Sequence, residues 1–270
     1  MIAKICAAAV FILLLVPGVV AGAEEAAIYT VAINYDIQNT SSNRATDFEA
    51  QIYLYDNISG WANQEVLAEE ILVEGVAVTP QIFKEEDNRW ARLQLGELGA
   101  NQSKRITVTQ TLKIKAVDFQ VNPSSVGTYI PPELAIYTTP VPGLWESDDQ
   151  RISAKAAALV ENTTSVYYQA QNIFRFVIDY LKYQRLGEEH GALYGYLAKV
   201  GDCTEYSNLF VALARAAGIP AKVVAGNGYI SLYRVGGPAD FSATGHAWAI
   251  FYLPNYGWVP VDGVWPTGSG

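Results

Sequence analysis

Residues 201–207 read GDCTEYS, and three of their side chains could do chemistry: one thiol and two carboxyl groups. Asp202 and Glu205 stand three apart, the spacing of a capping box in which the first residue caps a helix and the second reaches back to it. That predicts a helix starting at Cys203. Free N–H groups and aligned peptide dipoles give such an end partial positive charge, which favours a thiolate over a thiol. The same N–H groups can receive the oxyanion of an attacked carbonyl. The plain alternative is that Cys203 packs with Tyr206, Phe210 and Leu213 along the helix face.

A thiol nucleophile needs a base, and the chain has two histidines. His190 lies in LGEEHGALYG, upstream of Cys203; His246 lies in TGHAWAIFYL, downstream. His246 opens an apolar run that reads as a core strand, which would hold it rigidly. The base wants an acceptor for its other nitrogen. Asp262 closes the next strand, GWVPVD, and the short PNYG turn could set His246 and Asp262 side by side. An aspartate that merely caps a turn is the alternative for Asp262. Tyr194 and Tyr196, upstream of the cysteine, read as packing aromatics before oxyanion donors.

The cysteine count adds weight. Lys4, the apolar run over residues 5–16, Pro17-Gly18 and the small residues AGA at 21–23 have the pattern of a secretory signal peptide. The run is short for a membrane span of about 20 residues; retention as an anchor is the alternative. Cleavage after Ala23 removes Cys6 and leaves Cys203 without an internal disulfide partner. It is then a buried thiol, an intermolecular link or a nucleophile. Losing Lys4 takes the formal charge from −9 to −10, which argues against nucleic acid or anionic lipid as a partner. The chain is thus expected to be secreted, periplasmic or at the cell surface, with association with the envelope open. No EF-hand loop and no Cys/His cluster is present, so no cofactor or metal is expected. Four glycosylation sequons occur, at Asn39, Asn57, Asn101 and Asn162.

The elements that would position these residues fall into two rhythms. From residue 24 to 121, IYTVAINYDI, TDFEAQIYLYD, EEILVEGVAV, RWARLQLGEL and KRITVTQTLKIKAVDF alternate apolar and polar positions between turn-rich breaks. They predict an antiparallel β-sandwich. Residues 122–149 hold five prolines and predict a stiff, extended connector. From residue 150 to 270 the chain reads as α+β. A first helix runs through ISAKAAALVEN, capped by Ser147 or Asp148. A second spans about 164–183, with Ile173, Phe176, Val177 and Tyr180 on one face. A Gly/Tyr-rich loop follows, over 184–201. The cysteine helix runs to Ala217, stopped by Gly218 and Pro220. Three strands follow, in AKVVAGNGY, HAWAIFYLP and GWVPVD. The loops 187–200 and 230–244 could flank a cleft.

Taken together, GDCTEYS on a helix start, GHAW opening a strand and GWVPVD closing the next resemble the transglutaminase-like family of papain-type thiol enzymes. The continuation NLFVALARAAGIPAKVVAGNGY and the lead-in LWESDDQRISAKAAALV are similar to it as well. The resemblance covers about residues 130–265. It implies a papain-like α+β fold, with Cys203 as nucleophile, His246 as base and acid, and Asp262 as orienting carboxylate. The implied activity is thiol acyl transfer on peptide or glutamine amides, with hydrolysis expected over cross-linking because water is always at hand. The implied partner is a protein or peptide substrate. The chain ends eight residues after Asp262, where family members usually continue into another strand. A non-catalytic binding or structural protein on the same scaffold is the alternative reading.

Overall fold

Alternation in the sequence becomes two antiparallel sheets around one apolar core. The structure is a computed structural model of the chain that describes residues 5–15, 26–57, 63–85, 88–115, 117, 119–228, 239–240 and 245–264. Its first unit holds β1 (Ile5–Leu15), β2 (Ala26–Asn39), β3 (Ala45–Leu54), β4 (Gln64–Val73), β5 (Val76–Ala77), β6 (Gln81–Glu85), β7 (Asn88–Leu98) and β8 (Ser103–Lys115). One sheet contains the order β1-β2-β8-β4-β5, the other β3-β7-β6. Every second residue faces inward: Ala50, Ile52 and Leu54 of β3 and Ala91, Leu93 and Leu95 of β7 meet Ile37, Ile71, Ile106 and Val108 of the other sheet. This is the predicted sandwich.

Four details go beyond the sequence reading. EEILVEGVAV is not one strand; Glu74 and Gly75, at φ 50° and 78°, turn the chain between β4 and β5. The short strand β6 was not expected, because QIFKE is too polar to show alternation. Asn39 is a sequon only in form. It is buried, and its amide donates to the carbonyls of Asn43, Leu98 and Gly99. Finally, residues 5–15, expected to leave with the leader, form β1, antiparallel to β2 along their whole length. An apolar, β-branched run pairs readily with an open sheet edge. Lys4, the AGA site and the greater part of the loop 230–244 lie outside the described residues.

The second unit spans residues 119–228 and 245–264 of the described chain. It contains α1 (Gln150–Val160), α2 (Val166–Tyr180), β9 (Lys182–Tyr183), α3 (Ala192–Ala198), β10 (Val200–Gly201), α4 (Cys203–Ala216) and β11 (Ala221–Asn227). After β12 (Ala239–Asp240), which pairs with β1, come β13 (Gly245–Leu253) and β14 (Gly257–Val261). The sheet order is β11-β13-β14, antiparallel throughout. α4 is the centre of this unit: from Glu205 to Arg215 every residue is buried, with α1, α2 and α3 around it and β13 beneath. From Leu209 to Ala214 α4 is wholly apolar, as expected of a helix enclosed on every side.

The connector is not extended. It folds as two 3-10 turns, Pro123–Ser125 and Pro132–Thr138, and a bridge between Val141 and Trp145. Proline fixes φ at a value shared by turns and extended chain, and hydrogen bonds decide between them. Gly127 N–H donates to Pro254, Asn255 to the Ser125 carbonyl, and the buried Arg215 to the Thr139 carbonyl at 2.6 Å. Arg215 also lies over the Trp145 ring, 4.2 Å from its centroid, and Lys222 lies over the rings of both Tyr137 and Trp258.

Candidate active site

The cysteine helix starts as its sequence dictates. Asp202 accepts the Thr204 N–H at 3.1 Å, and Glu205 Oε2 accepts the Asp202 N–H at 2.9 Å, completing the capping box. Cys203 is therefore the first residue of α4, a free thiol, half-buried. Gly218, at φ 78°, ends the helix as expected.

His246 is the second residue of β13, opposite Gly226 of β11, and is 8% exposed. Asp262 follows the last residue of β14. Its Oδ2 lies 2.6 Å from His246 Nε2, and its Oδ1 accepts the Val264 N–H at 2.9 Å. The turn after Asp262 thus fixes the carboxylate, and the carboxylate fixes the ring. With Nε2 committed, Nδ1 is the ring nitrogen left for the Cys203 side chain, which is close enough to act on the charge of His246. Burial by itself would lower the pKa of His246. The Asp262 carboxylate and a thiolate at Cys203 outweigh it and push the imidazole up to about 9.

Cys203, His246 and Asp262 are thus brought together from a helix start, a strand start and a strand end. His190 is not part of this group: its ring stacks on Tyr194, centroids 4.0 Å apart, and no hydrogen bond joins it to Cys203 among the described residues. Trp248 packs beside the site, its ring 6.0 Å from that of His246. Trp258 instead packs against Tyr137 and Tyr252. Tyr196 stacks on Tyr180, the packing role expected of it.

Several supporting residues escaped the sequence reading. Ser207, one turn below Cys203, is buried; its Oγ contacts the carbonyl of Cys203 at 2.7 Å and that of Ala247 at 3.2 Å. It ties the helix of the thiol to the strand of the imidazole. Glu205 is fully buried. Burial pushes its carboxyl up, opposed by the N–H groups of Asp202 and His190. The one available signal was spacing: Asp202, Glu205 and Asn208 recur at three ahead of the apolar run 209–214.

Gly201 shows how tightly this start is packed. A Cβ there would meet the Glu205 side chain closer than two carbon atoms approach. Gly201→Ala is expected to cost about 1–3 kcal/mol through overpacking, read as a lower urea midpoint with an unchanged slope.

Comparison with known proteins bears on the fold of this unit. Residues 153–263 match the transglutaminase-like superfamily. A stretch of 75 residues is 41% identical to an uncharacterized protein of Haemophilus influenzae, covering 23% of this chain and 20% of that protein. The match therefore spans about a fifth of the relative's length. Among solved structures, a proposed cysteine protease from Cytophaga hutchinsonii superposes with a TM-score of 0.59 at 16% identity, over 94% of this chain and 76% of that one. The periplasmic domain of TgpA from Pseudomonas aeruginosa gives 0.45 at 16% identity, over 87% and 69%. No helix among the described residues is long and apolar enough to cross a membrane. Residues 153–263 thus carry a transglutaminase-like domain.

Proposed function

We propose that the protein is an exported thiol acyl-transfer enzyme that hydrolyses peptide or glutamine amides through Cys203, His246 and Asp262. The observation that carries this reading is the His246 ring, with Asp262 on one nitrogen and the thiol of a helix-starting cysteine left to the other. The leader-like first 23 residues support export.

The steps follow from the positions. The Cys203 proton passes to His246 Nδ1, giving a thiolate beside an imidazolium held by Asp262. The thiolate attacks the amide carbonyl carbon, a C–S bond forms, and negative charge moves to the carbonyl oxygen. The backbone N–H of Cys203, the first of the helix, donates to that charge. His246 gives its proton to the amide nitrogen, the C–N bond breaks, and the amine or ammonia leaves a thioester. Water then loses a proton to His246 and attacks the thioester. The C–S bond breaks, the acid departs, and the thiolate–imidazolium pair is restored. A lysine amine in place of water would give a cross-link.

The test is the rate of iodoacetamide alkylation against pH, in the wild type and in His246→Ala. Wild type is expected to react rapidly below pH 7, while the variant accelerates only towards the free-thiol range of about 8.5. Identical profiles that both rise only in that range would mean a structural thiol, and the binding-scaffold reading would take its place.

A further inference from the structure

Glu205 takes no part in the steps above, yet it is a fully buried carboxyl group in the first turn of the nucleophile's helix. A capping box needs one of its oxygens. The other, Oε1, accepts the backbone N–H of His190 at 2.9 Å. Its two neighbours in the row of three do the same kind of work. Asp202 Oδ2 accepts the Leu186 N–H at 3.0 Å. Asn208 donates to the His190 carbonyl at 2.9 Å, while its own oxygen accepts from Trp145 Nε1 at 2.8 Å. The peptide of His190 is thus held at both its N–H and its C=O by side chains of α4. The chain enters this stretch from β9, where Tyr183 pairs with Gly201 and Gln184 N–H donates to Gly201, two residues before the thiol.

A side-chain row that fixes a loop this firmly also fixes what the loop carries, which is the stack of His190 on Tyr194. The rings are 21° from parallel, and Tyr194 is exposed. A rigid, accessible aromatic pair offers contact area at little entropic cost.

We propose that Glu205 is a positioning residue: with Asp202 and Asn208 it straps residues 186–190 to the nucleophile's helix so that the His190–Tyr194 pair forms a wall of the acyl-donor subsite. This rests on the thiol-enzyme reading. It places the side chains of the peptide being attacked against that pair.

The experiment compares two electrophiles on the full chain: iodoacetamide, which carries no side chain, and a panel of dipeptidyl chloromethyl ketones. Wild type is expected to react faster with the best dipeptidyl reagent than with iodoacetamide. Glu205→Gln keeps the shape but has one acceptor oxygen for two N–H donors. His190→Ala removes the ring and keeps the backbone ties, so it carries the test if the first variant fails to fold. Each is expected to lose about tenfold or more of the dipeptidyl rate, since small misplacements cost that much, and to keep the iodoacetamide rate. Equal losses with both reagents, no loss with either, or a wild type indifferent to the dipeptide would overturn the proposal. A wild-type iodoacetamide profile that rises only in the free-thiol range would instead bring down the thiol-enzyme reading itself, and the wall with it.

Discussion

Cys203→Ala is expected to abolish amide turnover, by about 10⁴-fold or more in kcat, with folding unchanged. The magnitude follows from how nucleophile and base act as a unit: removing either forfeits the covalent route. Four powers of ten correspond to about 5.5 kcal/mol of barrier. Ser207, one turn along the same helix, is buried against the carbonyls of Cys203 and Ala247 and so is not free to take the thiol's place. Stability should hold because Cys203 is half-buried and its side chain contributes little to the core around α4. Initial rates on a glutamine dipeptide amide and on a peptide mixture, with a thermal melt of the same sample, check both halves. Turnover that survives the substitution would sink the thiol mechanism. A variant that loses turnover but keeps its binding partner would separate catalysis from scaffold.

What could be read from the sequence was what local chemistry determines. The start of α4 is written in Asp202 and Glu205, its end in Gly218, and the strand positions of His246 and Asp262 in two short apolar runs. The errors lie where distant partners choose between local options. Ser147, Asp148 and Asp149 can each cap α1; Asp149 does so, accepting the Arg151 N–H. Ser147 is spent in the preceding turn, its N–H bonded to Trp145. α2 stops at Tyr180, short of the predicted end, because Lys182 and Tyr183 leave to pair with Val200 and Gly201. α3 was read as loop since glycine and tyrosine are poor helix formers. It is fixed from outside, by Glu146 on the Leu193 N–H and by Leu144 on that of Ala192. The second role of Glu205 was hidden for the same reason: its partner, His190, is a backbone group in a loop with no pattern of its own.

Asp262→Asn should reveal what the carboxylate contributes. The neutral amide can still accept from His246 Nε2, so the ring's orientation is largely retained, but the charge that raises its pKa is gone. In the wild type, with His246 up to about 9, the imidazolium that protonates the leaving amine persists through neutral pH, and activity should fall as pH rises through about 9. In Asp262→Asn that alkaline limb moves to lower pH. kcat at neutral pH is expected to drop by about 10⁴-fold, as when a serine-protease triad has its aspartate replaced by asparagine. The same pairing has a signature in stability. A histidine whose pKa is about 6.5 unfolded and about 9 folded binds its proton more tightly in the native state. The stabilisation is therefore fully present below pH 6.5 and is lost as pH rises through 9, on the order of 3 kcal/mol in all. Urea unfolding at pH 6 and at pH 10 should show that difference in the wild type and a smaller one in Asp262→Asn. Equal pH slopes in the two proteins would mean that Asp262 does not hold the charge of His246, and the triad would reduce to a cysteine and a histidine.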